Sequence, residues 1–238
     1  MDSVESALAA ERGGARRLEL CDALFDGGTT PSAGMIAACR HRASIPVFVI
    51  IRPRGGGFVY SAPELDVMRR DIEAARGLGA NGVVLGVLRR DGDIDEQQTR
   101  SLVDAAGDLP VTFHRAFDFA RDPGAAMETV ISAGITRILT SGGAPTAREG
   151  VATLASLVRQ AGDRLVVMAG GGVREENVKA IVDGSGVREV HVRLTRLTRG
   201  DGLPLVPGLK VRKALPGDEA AWEETDEARI RNFVSAAG

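Results

Sequence analysis

The residues best suited to chemistry in this 238-residue chain stand where short apolar runs stop. The clearest run is Pro110-Val111-Thr112-Phe113-His114-Arg115-Ala116-Phe117-Asp118, in which β-branched and aromatic residues end at a histidine and an arginine, with an aspartate three positions on. Strand side chains alternate, so Thr112 and His114 share one face and Phe113 and Arg115 the other. Other runs end the same way. Glu19 and Cys21 share a face in Arg17-Leu18-Glu19-Leu20-Cys21, and Arg52-Pro53-Arg54-Gly55-Gly56-Gly57 follows Val47-Phe48-Val49-Ile50-Ile51. Thr140-Ser141-Gly142-Gly143, Gly170-Gly171-Gly172 and the pair Glu189 and His191 close three more runs.

Two chemistries fit these types. His114 with Glu19 or Asp118 forms a proton-transfer set. Around it, the guanidinium groups of Arg52, Arg54 and Arg115, the hydroxyls of Thr140 and Ser141, His191 and the backbone N–H groups of Gly170, Gly171 and Gly172 suit a small anionic ligand, a phosphorylated one included. The second chemistry is metal binding by the soft thiolate of Cys21. Each residue also has a structural reading. Glu19 can pair with an arginine inside the fold, Arg52 and Arg54 can be rim ion pairs, and glycines 170–172 can serve a tight strand-to-helix turn. His41 suits a helix carboxyl end, and Cys39, late in a helix, suits a buried structural thiol. There is no Walker lysine and no dinucleotide fingerprint, so a bound nucleotide is not expected.

The elements that position these residues alternate. Helices are expected at about 3–14, 32–41, 64–78, 95–106, 122–133, 146–161 and 175–182, and each leads into one of the short apolar strands named above or into Gly82-Val83-Val84-Leu85-Gly86. Continuously apolar strands between helices are the mark of a parallel sheet covered on both faces. Seven such strands predict a (β/α)₈ TIM-like barrel lacking one strand, the first, with an open doubly wound sheet as the alternative. One domain is expected over 1–238, with an irregular segment at about 194–217 and a last helix at about 225–237; the acidic run Asp218 to Glu227 reads as the solvated start of that helix.

Composition narrows the function classes. Thirty basic and 32 acidic residues give a net charge of −2, and 44% of the chain is hydrophobic, so neither a nucleic-acid footprint nor a disordered chain is expected. No apolar run approaches the roughly 18 residues of a membrane span, and Met1-Asp2-Ser3-Val4-Glu5 has no signal-peptide pattern. The expectation is a cytoplasmic protein with its two cysteines reduced.

Several of these stretches together resemble the CutC copper-homeostasis family. They are Asp2-Ser3-Val4-Glu5-Ser6-Ala7, Glu11-Arg12-Gly13-Gly14-Ala15, Arg17-Leu18-Glu19-Leu20-Cys21, Gly27-Gly28-Thr29-Thr30-Pro31-Ser32, Ile51-Arg52-Pro53-Arg54-Gly55-Gly56, Val111 to Asp118, Leu139-Thr140-Ser141-Gly142 and Met168-Ala169-Gly170-Gly171-Gly172-Val173. The resemblance spans about residues 2–191. It implies a barrel, a cytoplasmic protein that self-associates as a dimer or tetramer, and Cu(I) handling with copper as the bound metal. It also implies a strand of the type Leu-Glu-(Ile/Val)-Cys ahead of Asp2, which the sequence given does not include and which accounts for the count of seven. After His191 the family tends to small residues, whereas this chain has Val192-Arg193-Leu194-Thr195-Arg196-Leu197-Thr198-Arg199. Two functions are therefore carried forward: copper handling through Cys21, and an enzyme acting on a small anionic substrate. A third, an oligomeric scaffold, would leave the rim chemically idle.

Overall fold

A computed structural model describes residues 1–200 and 220–238. Helices and strands alternate in the order α1 (Val4–Arg12), β1 (Leu18–Leu20), α2 (Ala33–Arg42), β2 (Val47–Ile50), α3 (Ala62–Gly77), β3 (Gly82–Leu85), α4 (Glu96–Ala106), β4 (Val111–Phe113), α5 (Pro123–Ser132), β5 (Arg137–Thr140), α6 (Val151–Ala161), β6 (Val166–Gly170), α7 (Val178–Ser185) and β7 (Glu189–His191). Two further strands, β8 (Thr195–Arg199) and β9 (Ala221–Thr225), precede α8 (Glu227–Ala237). Local chemistry sets the helix starts. Ser3, Ser32, Asp95, Asp122 and Asp226 each accept a backbone N–H of the first turn through the side chain, and Ser61 with Glu64 forms a reciprocal capping box ahead of α3.

Strands β1 to β7 pair in sequence order, every neighbour parallel. A doubly wound sheet reverses its strand order at a switch point; this one never does, so the barrel reading holds. The sheet curls until its edges face each other. Arg17, just before β1, meets Glu189 of β7 at 2.5 Å, and Glu19 Oε2 lies 3.9 Å from His191 Nδ1. Side chains therefore bridge the seam between β1 and β7, where no backbone ladder runs. Met1 lies along the β1 edge: its amino group donates to Glu19 O at 2.9 Å, and Cys21 N–H donates to Met1 O at 2.9 Å.

Alternation divides the strand residues between two cores. Leu18, Leu20, Val47, Val49, Ile51, Val83, Leu85, Val111, Phe113 and Ile138 point outward against the helices in one continuous cluster. Each fully buried aliphatic or aromatic side chain there contributes about 1.5–3 kcal/mol. Inside, a smaller group holds Cys21, Phe48, Ile50 and Val84. Near the amino ends of the strands, Glu189 accepts from both Arg17 and Arg137, whose guanidinium groups lie 5.2 Å and 5.7 Å from the Phe48 ring centre. Burial alone would raise the Glu189 pKa, but these two arginines outweigh it and hold the carboxyl below its usual range.

Two expectations for the last part of the chain are corrected. The stretch read as irregular from about 194 contains β8, which pairs antiparallel with β9; the threonines of Thr195-Arg196-Leu197-Thr198-Arg199 favour a pleated strand. The acidic run read as a helix start lies partly in β9, with Glu223 and Glu224 opposite Leu197 and Arg196, and the helix begins only after Asp226. The remainder of the irregular segment, 201–217, lies outside the described residues.

Candidate functional site at the barrel mouth

The loops after β1, β2, β4, β5 and β6 form the mouth, and one carboxylate organises half of it. Asp118 sits in the 3₁₀ turn Arg115–Phe119 that follows β4. Its Oδ1 accepts from Thr140 Oγ1 (2.5 Å), Ser141 N (2.9 Å) and Gly143 N (3.1 Å), and its Oδ2 accepts from Arg115 Nε (2.7 Å). With its side chain only 6% exposed, Asp118 is fully engaged. That geometry suits positioning the 140–143 turn rather than the proton transfer expected of it. Ser141 Oγ accepts from Arg115 Nη2 at 3.0 Å and donates to Ala144 O at 2.5 Å.

Arg115 is thereby fixed by two bonds with its side chain still 43% exposed. Its guanidinium lies against the turn after β6. A Cβ on Gly171 would come within 3.2 Å of Arg115 Cζ and 3.3 Å of Nη1, and Gly171 and Gly172 both have positive φ, +98° and +68°. Glycine is required there by backbone conformation and by the arginine together. Gly170 serves packing, since a Cβ on it would meet Leu139 at 2.5 Å. Arg115, Ser141 and the 171–172 turn are thus brought together as one cationic corner.

The two other arginines are engaged elsewhere. Arg52, almost fully buried, donates Nη1 to Asp26 O (2.7 Å) and Gly28 O (2.8 Å) and Nη2 to Gly56 O (2.7 Å), tying the loop after β1 to the loop after β2. Arg54 donates to Glu64 Oε1 at 2.5 Å and to the carbonyls of Gly55, Gly57 and Val59. Most of their donors are therefore taken; Arg52 Nε, buried, has no partner in good geometry.

His114 is buried at the end of β4. Its Nδ1 accepts the Ala116 N–H at 3.2 Å, which places the proton of the neutral ring on Nε2, and that atom has no partner. Burial, reinforced by the charge of Arg52, lowers its pKa from 6.5 to about 3. The Phe58 ring covers it at 5.0 Å between centroids, and Arg52 Cζ lies 5.1 Å from the same ring centre. Gly86 makes the room, since a Cβ there would meet the imidazole at 2.6 Å. Among the described residues no hydrogen bond or ion pair joins His114 to Glu19, and Thr112 Oγ1 faces Arg137 at 3.5 Å. Each unpaired buried N–H costs about 1–3 kcal/mol.

Glu19 instead faces His191 across the seam. Cys21, two residues on, is buried; its thiol donates to Met1 O at 3.5 Å, and burial pushes its pKa above 9.0. A metal would have to displace that proton. Cu(I) selects thiolate and thioether ligands, and Cys21 supplies one. Cys39 lies in the outer core beside Met35 Sδ, at 3.9 Å. Among the described residues no group of three or more His, Cys, Asp or Glu side chains converges to hold a metal ion. Within one chain the donor set for copper is therefore incomplete.

Sequence reasoning did not single out Arg137, Phe58, Tyr60 or Phe119. An arginine partner for a buried carboxylate was expected, but for Glu19; the arginines pair with Glu189. The face shared by Glu189 and His191 was the readable signal.

Comparison with known proteins places this arrangement. The CutC family model matches residues 1–195. The copper homeostasis protein cutC homologs of Mus musculus and Homo sapiens are each 45% identical over 238 residues, spanning all of this chain and 87% of the relative. A family protein CutC of Chromobacterium violaceum is 48% identical over 240 residues, covering 98% of this chain and 94% of the relative. A CutC crystal structure from Streptococcus agalactiae superposes with a TM-score of 0.77 at 36% identity, over 80% of this chain and 94% of that one. An aldolase, at TM-score 0.60 and 18% identity over 79% of this chain and 81% of that one, shares the fold alone. On the family match and these identities, the chain belongs to the CutC family.

Proposed function

We propose that this chain works in copper homeostasis in the cytoplasm and takes Cu(I) through Cys21, with a further soft donor arriving from outside the chain, either a second copy or a small thiol. The name carried by its relatives supports the biological role. The observation that carries the residue assignment is that Cys21 lies in the inner cluster at the carboxyl end of β1, whereas Cys39 lies in the outer core. A homo-oligomer, dimer or tetramer, would bring two such thiols into one assembly. An anaerobic Cu(I) competition against a chromophoric chelator tests it. Stoichiometric binding that vanishes in Cys21→Ser and survives in Cys39→Ser is expected. Binding no stronger than that of an ordinary exposed thiol overturns it.

A second reading has its own observation: the corner made by Arg115, Ser141 and the Gly171–Gly172 turn. An arginine fixed on one edge and open on the other, beside backbone with positive φ, suits a small anion. On this reading the mouth is a ligand or substrate site with the neutral His114 as its acid–base group. Titration with inorganic phosphate should show binding that Arg115→Ala abolishes; equal affinity in the variant rejects the corner.

A further inference from the structure

Two buried nitrogens at the mouth, His114 Nε2 and Arg52 Nε, have no partner in good hydrogen-bond geometry, and Tyr60 Oη, also buried, lies against the Arg52 side chain. Both nitrogens belong to side chains more than nine-tenths buried. Both flank one ring, since Phe58 stands 5.0 Å from the imidazole and 5.1 Å from the Arg52 guanidinium carbon. The nitrogens can only donate: Nδ1 of His114 is already occupied as an acceptor, and a guanidinium accepts nothing. Tyr60 Oη stands as an acceptor beside Arg52, so the donor left without one is His114 Nε2–H, and the Arg52 charge next to it favours a negative acceptor oxygen.

The surroundings of these donors are apolar in an unusual place. Phe25, Val59 and Phe119 are among the few large hydrophobic residues left exposed, Phe25 and Phe119 at 67% each. They lie in the loops after β1, β2 and β4, so all three belong to the mouth. Phe119 packs against Phe58 at 5.7 Å between centroids, continuing an aromatic surface from the buried histidine to solvent. A polar metabolite such as free phosphate gains nothing from that surface, whereas a planar apolar body does.

We infer that the mouth binds a small aryl carboxylate, its carboxyl group accepting from His114 Nε2–H beside the Arg52 charge and its ring stacked on Phe58 and Phe119. This goes beyond the second reading above: it shares the mouth and His114 with that reading but uses residues separate from the Arg115 corner.

The test uses the full chain with ¹⁵N-labelled histidine, titrated separately with benzoate, acetate and inorganic phosphate while the imidazole Nε2–H signals are followed. Benzoate should shift the His114 signal and bind about tenfold more tightly than acetate, the increment expected for burying one aromatic ring. Phe119→Ala should remove about that factor for benzoate and leave acetate unchanged. Arg115→Ala should abolish phosphate binding without altering benzoate, so the corner and the aryl-acid site can fail separately. Benzoate that leaves the His114 signal unmoved, or acetate that binds as tightly as benzoate, overturns the inference.

Discussion

A proton on His114 would place a second charge beside Arg52 in a buried wall, and folding excludes it. The pKa is 6.5 for the free group and about 3 here, so the contribution is fully present above 6.5 and is lost as pH falls from there towards 3. Each pH unit within that window removes about 1.4 kcal/mol. Urea unfolding at about pH 7.5 and about pH 5.5 should show the loss in the wild-type chain and not in His114→Asn. Asp118 makes the opposite case, a carboxylate whose charge is matched by donors on both oxygens. Asp118→Asn turns one acceptor oxygen into a donor facing N–H groups, and it should lower the unfolding free energy by about 2–4 kcal/mol. A shift of the urea midpoint with an unchanged slope is the expected sign.

At the scale of elements, the turns after the strands decide which side chains are free and which are held. Gly171→Ala must hold a non-glycine residue at positive φ and press a methyl against Arg115; it should cost about 1–3 kcal/mol, read as a lowered thermal midpoint. Alternation within strands made the inner faces legible in sequence: Glu19 with Cys21, Thr112 with His114 and Glu189 with His191 all follow from a period of two. The rhythm of apolar strands and capped helices made the barrel legible too. What sequence did not disclose was the partnering. Arg52 and Arg54 read as ligand-binding arginines because two guanidinium groups flank glycines, yet nearby carbonyls and Glu64 take most of their donors. Those acceptors come from loops whose shape no local pattern encodes. Phe58 carries no local signal of its place: Leu88 N–H donates to Phe58 O at 2.9 Å, a contact between two loops, and its ring stands over the histidine. The β8–β9 pair was missed for a related reason: its partner strands are separated by residues 200–220, and pairing across such a distance leaves no local turn signal to read.

For the whole molecule, the arginines of Glu189 matter beyond their own site, because they sit where the curled sheet meets itself. Glu189→Gln leaves Arg17 and Arg137 partly buried without a counter-charge, and it should destabilise the chain by about 2–4 kcal/mol. Arg17→Met should cost less, since Arg137 keeps its bidentate hold on the carboxylate. Equilibrium unfolding of the two variants side by side checks the order. Six neighbouring strand pairs are zipped by backbone bonds, while β1 and β7 are latched by charge. Dissolved ions weaken such a latch and leave amide–carbonyl ladders largely untouched. The cylinder should accordingly breathe from this one line. In hydrogen–deuterium exchange, β1 and β7 should label first and sooner at high ionic strength, with β3 and β4, opposite the latch, labelling last.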